Sequence, residues 1–295
     1  MGPGRSISVI FNRSSGSAAE KGDKLDEALA RAALPATVVR VSGSEVAAAA
    51  ERAASAGHVL VAAGGDGTVS TVAAVAVSAG SVFGVIPLGT LNHFARDAGI
   101  PTDLDQAIAT VAAGHSRQLD VGDVNGVTFI NNTSLGLYPH LVWEREHERS
   151  RGRGKWTAFA IALARTWRRY PTVHVRMIVD DLPLVRRTPF VFIGNGVYRA
   201  EGLGVGTRAS LGGTLSIYSA PDVDRFEFPM LPIRAVAGRL GADVKFEAFT
   251  ACEITIDTRR QTVDLAIDGE LRSVPAPLRY TVRSRALTAL VPEAP

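Results

Sequence analysis

The sequence predicts two lobes: an N-terminal α/β lobe on a parallel sheet, and a second, mostly antiparallel β-sandwich lobe. Three observations predict this. Up to about residue 117, strand-like runs alternate with helix-length segments, the mark of crossover units and a parallel sheet. Beyond it, short β-rich runs follow one another with turn signals between them, as antiparallel sheets do. Hydrophobic residues make up 46% of the 295-residue chain and aromatics only 6%. That is enough apolar material to fold, and its alanine and valine suit helices packed on a sheet.

Taken in order, residues 5–12 (RSISVIFN) read as a strand that ends in the polar turn NRSSGS. Residues 18–33 carry helical spacing, 37–41 read as a strand, and 44–56 as an alanine-rich helix capped by Ser44. Strand 58–62 leads into Gly64-Gly65-Asp66-Gly67-Thr68, then a helix from about Thr68 to 78 and strand 82–86. Helices over 91–98 and 104–113 complete the lobe. In the second lobe, Val124-Asn125-Gly126-Val127 is a hairpin signal. The later runs TVHVRMIVD, PFVFIGN, GTLSIYSA, CEITIDT, TVDLAID and LRYTVR read as strands. Residues 286–291 form a last apolar strand able to return to the first lobe. The expected domains are 1–118 with 286–295, and 119–285.

Composition excludes several classes. One cysteine, Cys252, leaves no internal disulfide framework and no Cys-based zinc site, and fits a reducing cytosol. A net charge of +3 falls far short of a nucleic-acid binder's excess, so no nucleic-acid partner is expected. The N-terminus lacks signal-peptide regions. Residues 67–95 contain no Asp, Glu, Lys or Arg. A membrane span needs about 20 continuous apolar residues, and Gly80, Ser81, Gly84, Pro87 and Gly89 interrupt this run. A soluble, cytoplasmic protein is expected.

The sharpest local feature is the strand–GGDGT–helix junction. Glycines let backbone N–H groups approach a ligand closely, and a helix N-terminus presents unpaired N–H groups to phosphate. Asp66 would repel phosphate unless Mg²⁺ lies between them or it handles a proton. A plain alternative is a tight turn in which Asp66 holds turn amides and Thr68 caps the helix. Accident alone should produce such a five-residue string only roughly once in a thousand or more chains of this length. The P-loop string, protein-kinase signatures, GxSxG and HExxH are absent. A second loop, PLGTLNHFARD with Thr90 and Asn92, follows the next strand, and Asn12, Ser15 and Gly16 follow the first. All three loops would line the carboxyl edge of one sheet, where ligands bind in such folds.

GGDGT, then PLGTLNHFARDAGIP, with the early NxxSG and the late Asp268-Gly269-Glu270, resembles the diacylglycerol kinase catalytic family. GGDGT by itself is shared with NAD kinases and 6-phosphofructokinases. The resemblance implies an NAD kinase/diacylglycerol kinase-like first lobe, a nucleotide cleft between the lobes, ATP and Mg²⁺ as cofactors, and a lipid acceptor. By position it implies that Asn12, Gly64, Gly65, Asp66, Gly67, Thr68, Thr90 and Asn92 line the ATP site. It gives Asp66 a place near the phosphates and metal, Asp120 a place in an Asp–water–Mg²⁺ network, Asp268 the role of general base, and Glu270 a position near nucleotide or metal. The family's frequent Asp-Asp-Gly, tied to a structural Mg²⁺ in some members, stands here as Leu211-Gly212-Gly213.

Local alternatives stay open. Asp268-Gly269 is equally a hairpin turn, and Asp120 a strand-end carboxylate on backbone. His93 and Asp97 are expected to serve helix packing and surface. Residues 145–169 hold eight Lys/Arg, with Trp156, Phe159, Leu163 and Trp167 at near-helical spacing. That is either a lipid-facing basic helix or an amphipathic helix packed on the second lobe. The expected activity is transfer of the γ-phosphate of ATP to a lipid hydroxyl, diacylglycerol-type, at a membrane surface. A soluble-substrate kinase of the same superfamily and an inactive nucleotide-binding protein remain alternatives, and a homodimer is left open.

Overall fold

The computed structural model describes residues 6–13, 18–136, 172–179, 181–201, 204–219 and 247–293, with single positions at 139, 157, 161 and 165. Ser15, Gly16, nearly all of the basic segment 145–169 and the side chains around Leu211 lie outside the described residues. The chain folds as two compact units, residues 1–121 with 283–295, and residues 122–282.

In the first unit β1 (Ile7–Asn12), β2 (Ala36–Val41), β3 (Val59–Gly64) and β4 (Phe83–Pro87) pair in parallel in the order β2-β1-β3-β4. β3 (VLVAAG) is buried throughout and β1 nearly so, which is why these runs read as continuously apolar rather than alternating. Helices α1 (Ala18–Arg31) and α5 (Leu104–Ala113) share one face. There Leu25, Ala28 and Leu29 pack with Ile108 and Val111 on β1, β3 and β4. Between them in sequence lie α2 (Val46–Ser55), α3 (Asp66–Ala79) and the short α4 (His93–Asp97). Asp103 caps α5, its carboxylate accepting from the Gln106 N–H at 3.0 Å.

Several boundaries differ from the sequence expectation. Ser44 does not cap α2: it sits inside a 3-10 turn, Gly43–Glu45, opened by Ser42. The Glu45 carboxylate accepts from the Ser42 N–H at 2.9 Å and the Ser42 hydroxyl at 2.6 Å, which lowers the Glu45 pKa. α3 begins at Asp66 rather than Thr68, with Gly65 as N-cap. α4 is shorter than residues 91–98, because Asn92 adopts a left-handed conformation, φ 50° and ψ 47°, that no helix interior accepts.

The second unit is a β-sandwich. One antiparallel sheet runs β12 (Glu247–Ala251), β11 (Gly204–Ser219), β10 (Phe190–Glu201), β7 (Asn132–Gly136), β14 (Thr262–Ile267), β15 (Glu270–Pro275). The other pairs the first part of β16 (Leu278–Leu290) with β13 (Glu253–Thr258), β8 (Val173–Val179) and β9 (Leu182–Thr188). Leu135, Val191, Ile193, Leu215, Ile217 and Leu265 from the first sheet share one core with Val175, Met177, Ile254, Ile256 and Tyr280 from the second. Asn125 and Gly126 join β5 (Ser116–Val124) to β6 (Val127–Phe129) with φ of 49° and 85°, as a two-residue type I′ turn requires.

β9 and β12 escaped the sequence reading. LPLVRRT carries a proline and two adjacent arginines, so its alternation is broken, and EAFTA is short. The two strands end their respective sheet orders, and Arg186 of β9 grips Glu247 of β12 through Nε–Oε2 at 2.6 Å and Nη2–Oε1 at 3.1 Å. This fork ties one end of the sandwich; it raises the Arg186 pKa and lowers that of Glu247. LRYTVR and the terminal apolar run are one strand, β16, and not two. Its end returns to the first unit, where Ala289 pairs in parallel with Phe83 of β4. No helix among the described residues is long and apolar enough to cross a membrane.

Candidate functional site

In a parallel sheet every strand ends on the same edge, so the loops after β1, β3 and β4 begin as neighbours. Specific bonds then draw them together. The Asn12 Nδ2 donates to Thr68 Oγ1 at 3.0 Å, joining the end of β1 to the first turn of α3. Thr68 is buried and uses its hydroxyl here rather than as the helix cap. The Leu88 N–H donates to the Gly64 carbonyl at 2.9 Å, extending the β3–β4 ladder into the loops.

Asp66 makes the decisive link. Its Oδ1 accepts the His93 N–H at 2.7 Å and its Oδ2 accepts the Asn92 N–H at 3.1 Å. The carboxylate therefore holds the amides of the other glycine loop, not those of its own turn. His93 is exposed at the start of α4 and contributes its backbone. Asn92 in turn latches the loop on itself: its Oδ1 accepts from the Gly89 N–H at 3.0 Å and its Nδ2 donates to the Gly89 carbonyl at 3.1 Å. Thr90 stands exposed in that loop.

Glycine is required where these loops meet. A Cβ built on Gly89 would lie 2.8 Å from the Gly65 Cα and 2.7 Å from Asn92 Oδ1, and one on Gly64 would lie 2.6 Å from Thr68 Oγ1. The Gly89 clash is with backbone, so it is not relieved by a rotamer change. Gly89→Ala is expected to destabilise the first unit by about 1–3 kcal/mol, read as a lower midpoint of thermal unfolding. An unchanged midpoint would mean that the two loops do not depend on this approach. Gly65 caps α3 without a side chain, and the first amides of a helix have no acceptor within it. The edge thus offers N–H groups and a partial positive charge to an anion.

The other sequence-selected residues belong to other elements of the chain. Asp120, half-buried on β5, accepts the Arg285 N–H at 2.7 Å, the backbone role weighed as its alternative. In the second unit Asp268 and Gly269 form the turn between β14 and β15 with φ of 48° and 87°. The hairpin reading of this Asp-Gly is therefore correct as structure. The Asp268 side chain does more than the turn needs. Its Oδ1 accepts the N–H groups of Asn131 at 2.9 Å and Asn132 at 3.0 Å, and its Oδ2 accepts that of Ile130 at 2.9 Å. Buried Asn195 supports the same segment, donating Nδ2 to the Ile130 carbonyl at 3.1 Å. Glu270 is exposed, with Arg272 Nη2 at 3.6 Å from its Oε2. Sequence reasoning missed Asn195 and the 130–132 amides; nothing in FINNTSL signals that these amides need a carboxylate.

Residues 6–124 match the profile of the diacylglycerol kinase catalytic domain. A Bacillus subtilis diacylglycerol kinase is 42% identical over 88 residues, covering 29% of this chain and 29% of that protein. A candidate YegS-like lipid kinase from Citrobacter koseri is 40% identical over 90 residues, covering 29% and 30%. The matched segments thus span about three tenths of those relatives' own length. A candidate diacylglycerol kinase structure from Bacillus anthracis strain Sterne superposes with a TM-score of 0.73 at 21% identity, over 98% of this chain and 97% of that one. It shares the α/β unit with its parallel sheet and the antiparallel second unit. Residues 6–124, less than half of the chain, are thus similar to the diacylglycerol kinase catalytic domain.

Proposed function

We propose that this protein transfers the γ-phosphate of ATP to the hydroxyl of a lipid, a diacylglycerol-type acceptor being favoured. The observation that carries the reading is the meeting of three loops at the carboxyl edge of the parallel sheet, with Gly65 and Gly89 in backbone contact and uncapped α3 amides beside them. Phosphoryl transfer asks a protein mainly for positioning and charge stabilisation. Asn12, Gly64 to Thr68, Thr90 and Asn92 are proposed to hold the nucleotide, its phosphates at the start of α3.

Mg²⁺ fits these residues as a passenger of the nucleotide. Each Asp66 oxygen accepts one amide and keeps a further lone pair, and one or two carboxylates with substrate phosphates suffice for this ion. Among the described residues there is no cluster of three His, Cys, Asp or Glu side chains able to cage a metal. Bound there, the ion would neutralise charge on the phosphates; Asp66 and Asp120 are the proposed protein contacts. Asp268 is proposed to accept the acceptor's hydroxyl proton as its oxygen bonds to the γ-phosphorus and the bond to the ADP oxygen breaks. Glu270 is proposed near nucleotide or metal. A lipid acceptor is supported by the names of the relatives and by the basic composition of residues 145–169, and peripheral contact with a membrane is proposed on that composition.

Incubation with labelled ATP, Mg²⁺ and a panel of lipids, sugars and NAD tests this. Label is expected in a lipid, strongest in diacylglycerol. Label only in NAD or a sugar, or ATP binding with no transfer, would overturn the proposal.

A further inference from the structure

Asp268 and Gly269 turn one end of the β14–β15 hairpin, and Thr262 pairs with Pro275 at its other end. Beside that second end the second unit carries a cavity of about 430 Å³. β15, Glu270–Pro275, sets it roughly 17 Å of strand away from the turn. Pro275, Ala276 and Pro277 form an apolar wall; Asp123 of β5 and Arg279 and Thr281 of β16 are the polar groups. Asn125 shapes the wall. Its Nδ2 donates to the carbonyls of Pro275 at 2.8 Å and Pro277 at 3.0 Å, and its Oδ1 accepts the Arg279 N–H at 2.7 Å. The Gln261 carbonyl accepts the Ala276 N–H at 2.8 Å. A wall fixed in advance loses little entropy when a ligand settles on it. The charged groups, in contrast, keep capacity. Asp123 Oδ1 accepts the Gly126 N–H at 2.7 Å, and its Oδ2 has no bond among the described residues. Arg279 is exposed, its cross-strand neighbour on β13 is Thr255 rather than an acid, and its guanidinium has no ion pair among the described residues.

A carboxylate and a guanidinium that face one opening without meeting are matched by a ligand that carries both charges in reverse. The apolar wall beside them is matched by a hydrocarbon group on the same ligand. We propose that this cavity binds the zwitterion of an apolar α-amino acid. Arg279 holds its carboxylate through paired guanidinium donors, Asp123 Oδ2 accepts from its ammonium, and the Thr281 hydroxyl donates to the carboxylate. The side chain lies on the proline wall, where an aromatic ring covers the largest apolar area. Asp123 repels a simple anion and Arg279 a simple cation. The volume falls within the usual range of small-molecule sites, roughly 300–1,000 Å³. The inference does not rest on the kinase reading, since every lining residue belongs to the second unit and binding is measured without ATP.

The test titrates the full chain calorimetrically with L-phenylalanine, and with phenylpropionate and phenethylamine, each of which keeps the ring and one of the two charges. Phenylalanine is expected to bind, and each single-charge analogue to bind at least about tenfold more weakly. Asp123→Asn keeps an oxygen for the Gly126 N–H. It is expected to lower phenylalanine affinity about tenfold while phenylpropionate binds as well as before or better. Arg279→Gln should lower the affinities of phenylalanine and phenylpropionate and spare that of phenethylamine, and Arg279→Lys should recover part of the loss. Circular dichroism and unfolding midpoints should match the wild type, because Arg279 is exposed and the Asp123 turn bond survives. Three results overturn the proposal. One is no binding of phenylalanine at millimolar concentration. Another is equal binding of all three compounds, which an unspecific apolar patch would give. The third is a loss in the two variants that does not follow the charge each compound carries.

Discussion

Asp66→Ala is expected to lower the unfolding midpoint, reduce ATP affinity by at least about tenfold, and bring phosphate transfer below detection. The stability part follows from two charge-assisted bonds, to the Asn92 and His93 amides. At a half-buried site they contribute about 2 kcal/mol together. Their loss frees the Pro87–Asn92 loop from α3, so the groups proposed to hold the nucleotide no longer converge. Asp66→Asn should be nearly as damaging, because its amide nitrogen would point a donor at a backbone donor. Raising Mg²⁺ separates the two roles of this carboxylate. If Asp66 only attracts the metal, excess Mg²⁺ restores transfer in the Asn variant; if it clamps the loops, excess metal leaves the loss in place. Wild-type stability and ATP affinity in Asp66→Ala would refute the clamp.

The second large effect is expected at Asp268. Asp268→Asn should cut turnover by about a hundredfold or more, the scale of a lost general base, while ATP affinity stays near wild type. The structure adds a stability cost to this expectation. The Asn oxygen can keep the Asn131 and Asn132 amides, but its NH₂ then faces the Ile130 N–H. Leaving that donor unsatisfied costs about 1–3 kcal/mol. Turnover must therefore be measured well below the variant's own unfolding midpoint. A variant that is destabilised yet turns over at the wild-type rate would leave Asp268 as a clamp on residues 130–132 and withdraw it as the base.

The same contrast shows how far the sequence carried. The strand–GGDGT–helix junction and the Asn-Gly and Asp-Gly turns were legible because each depends on backbone preferences acting across a few residues. β9 and β12 were not legible. Their pattern is weak alone, and they are strands because neighbours pair with them and because Arg186 and Glu247 grip each other across 61 residues. The helix expected over residues 91–98 forms only over His93–Asp97 for a related reason. Local propensity favoured it, but the Asn92 side chain is needed to latch Gly89, and that latch places Asn92 in the left-handed region.

By itself, then, the sequence determined an α/β lobe ahead of a β-sandwich and three glycine- or asparagine-bearing loops at strand ends. These follow from residue periodicity and from glycine's backbone freedom, both local properties. Only the tertiary structure decided what the aspartates hold. Asp66 reaches amides 26 and 27 residues away, Asp268 reaches amides 136 to 138 away, and Asp120 one 165 away. A carboxylate bonds to whichever N–H groups the fold leaves without a carbonyl, and those are known only once every strand and helix has taken its partners.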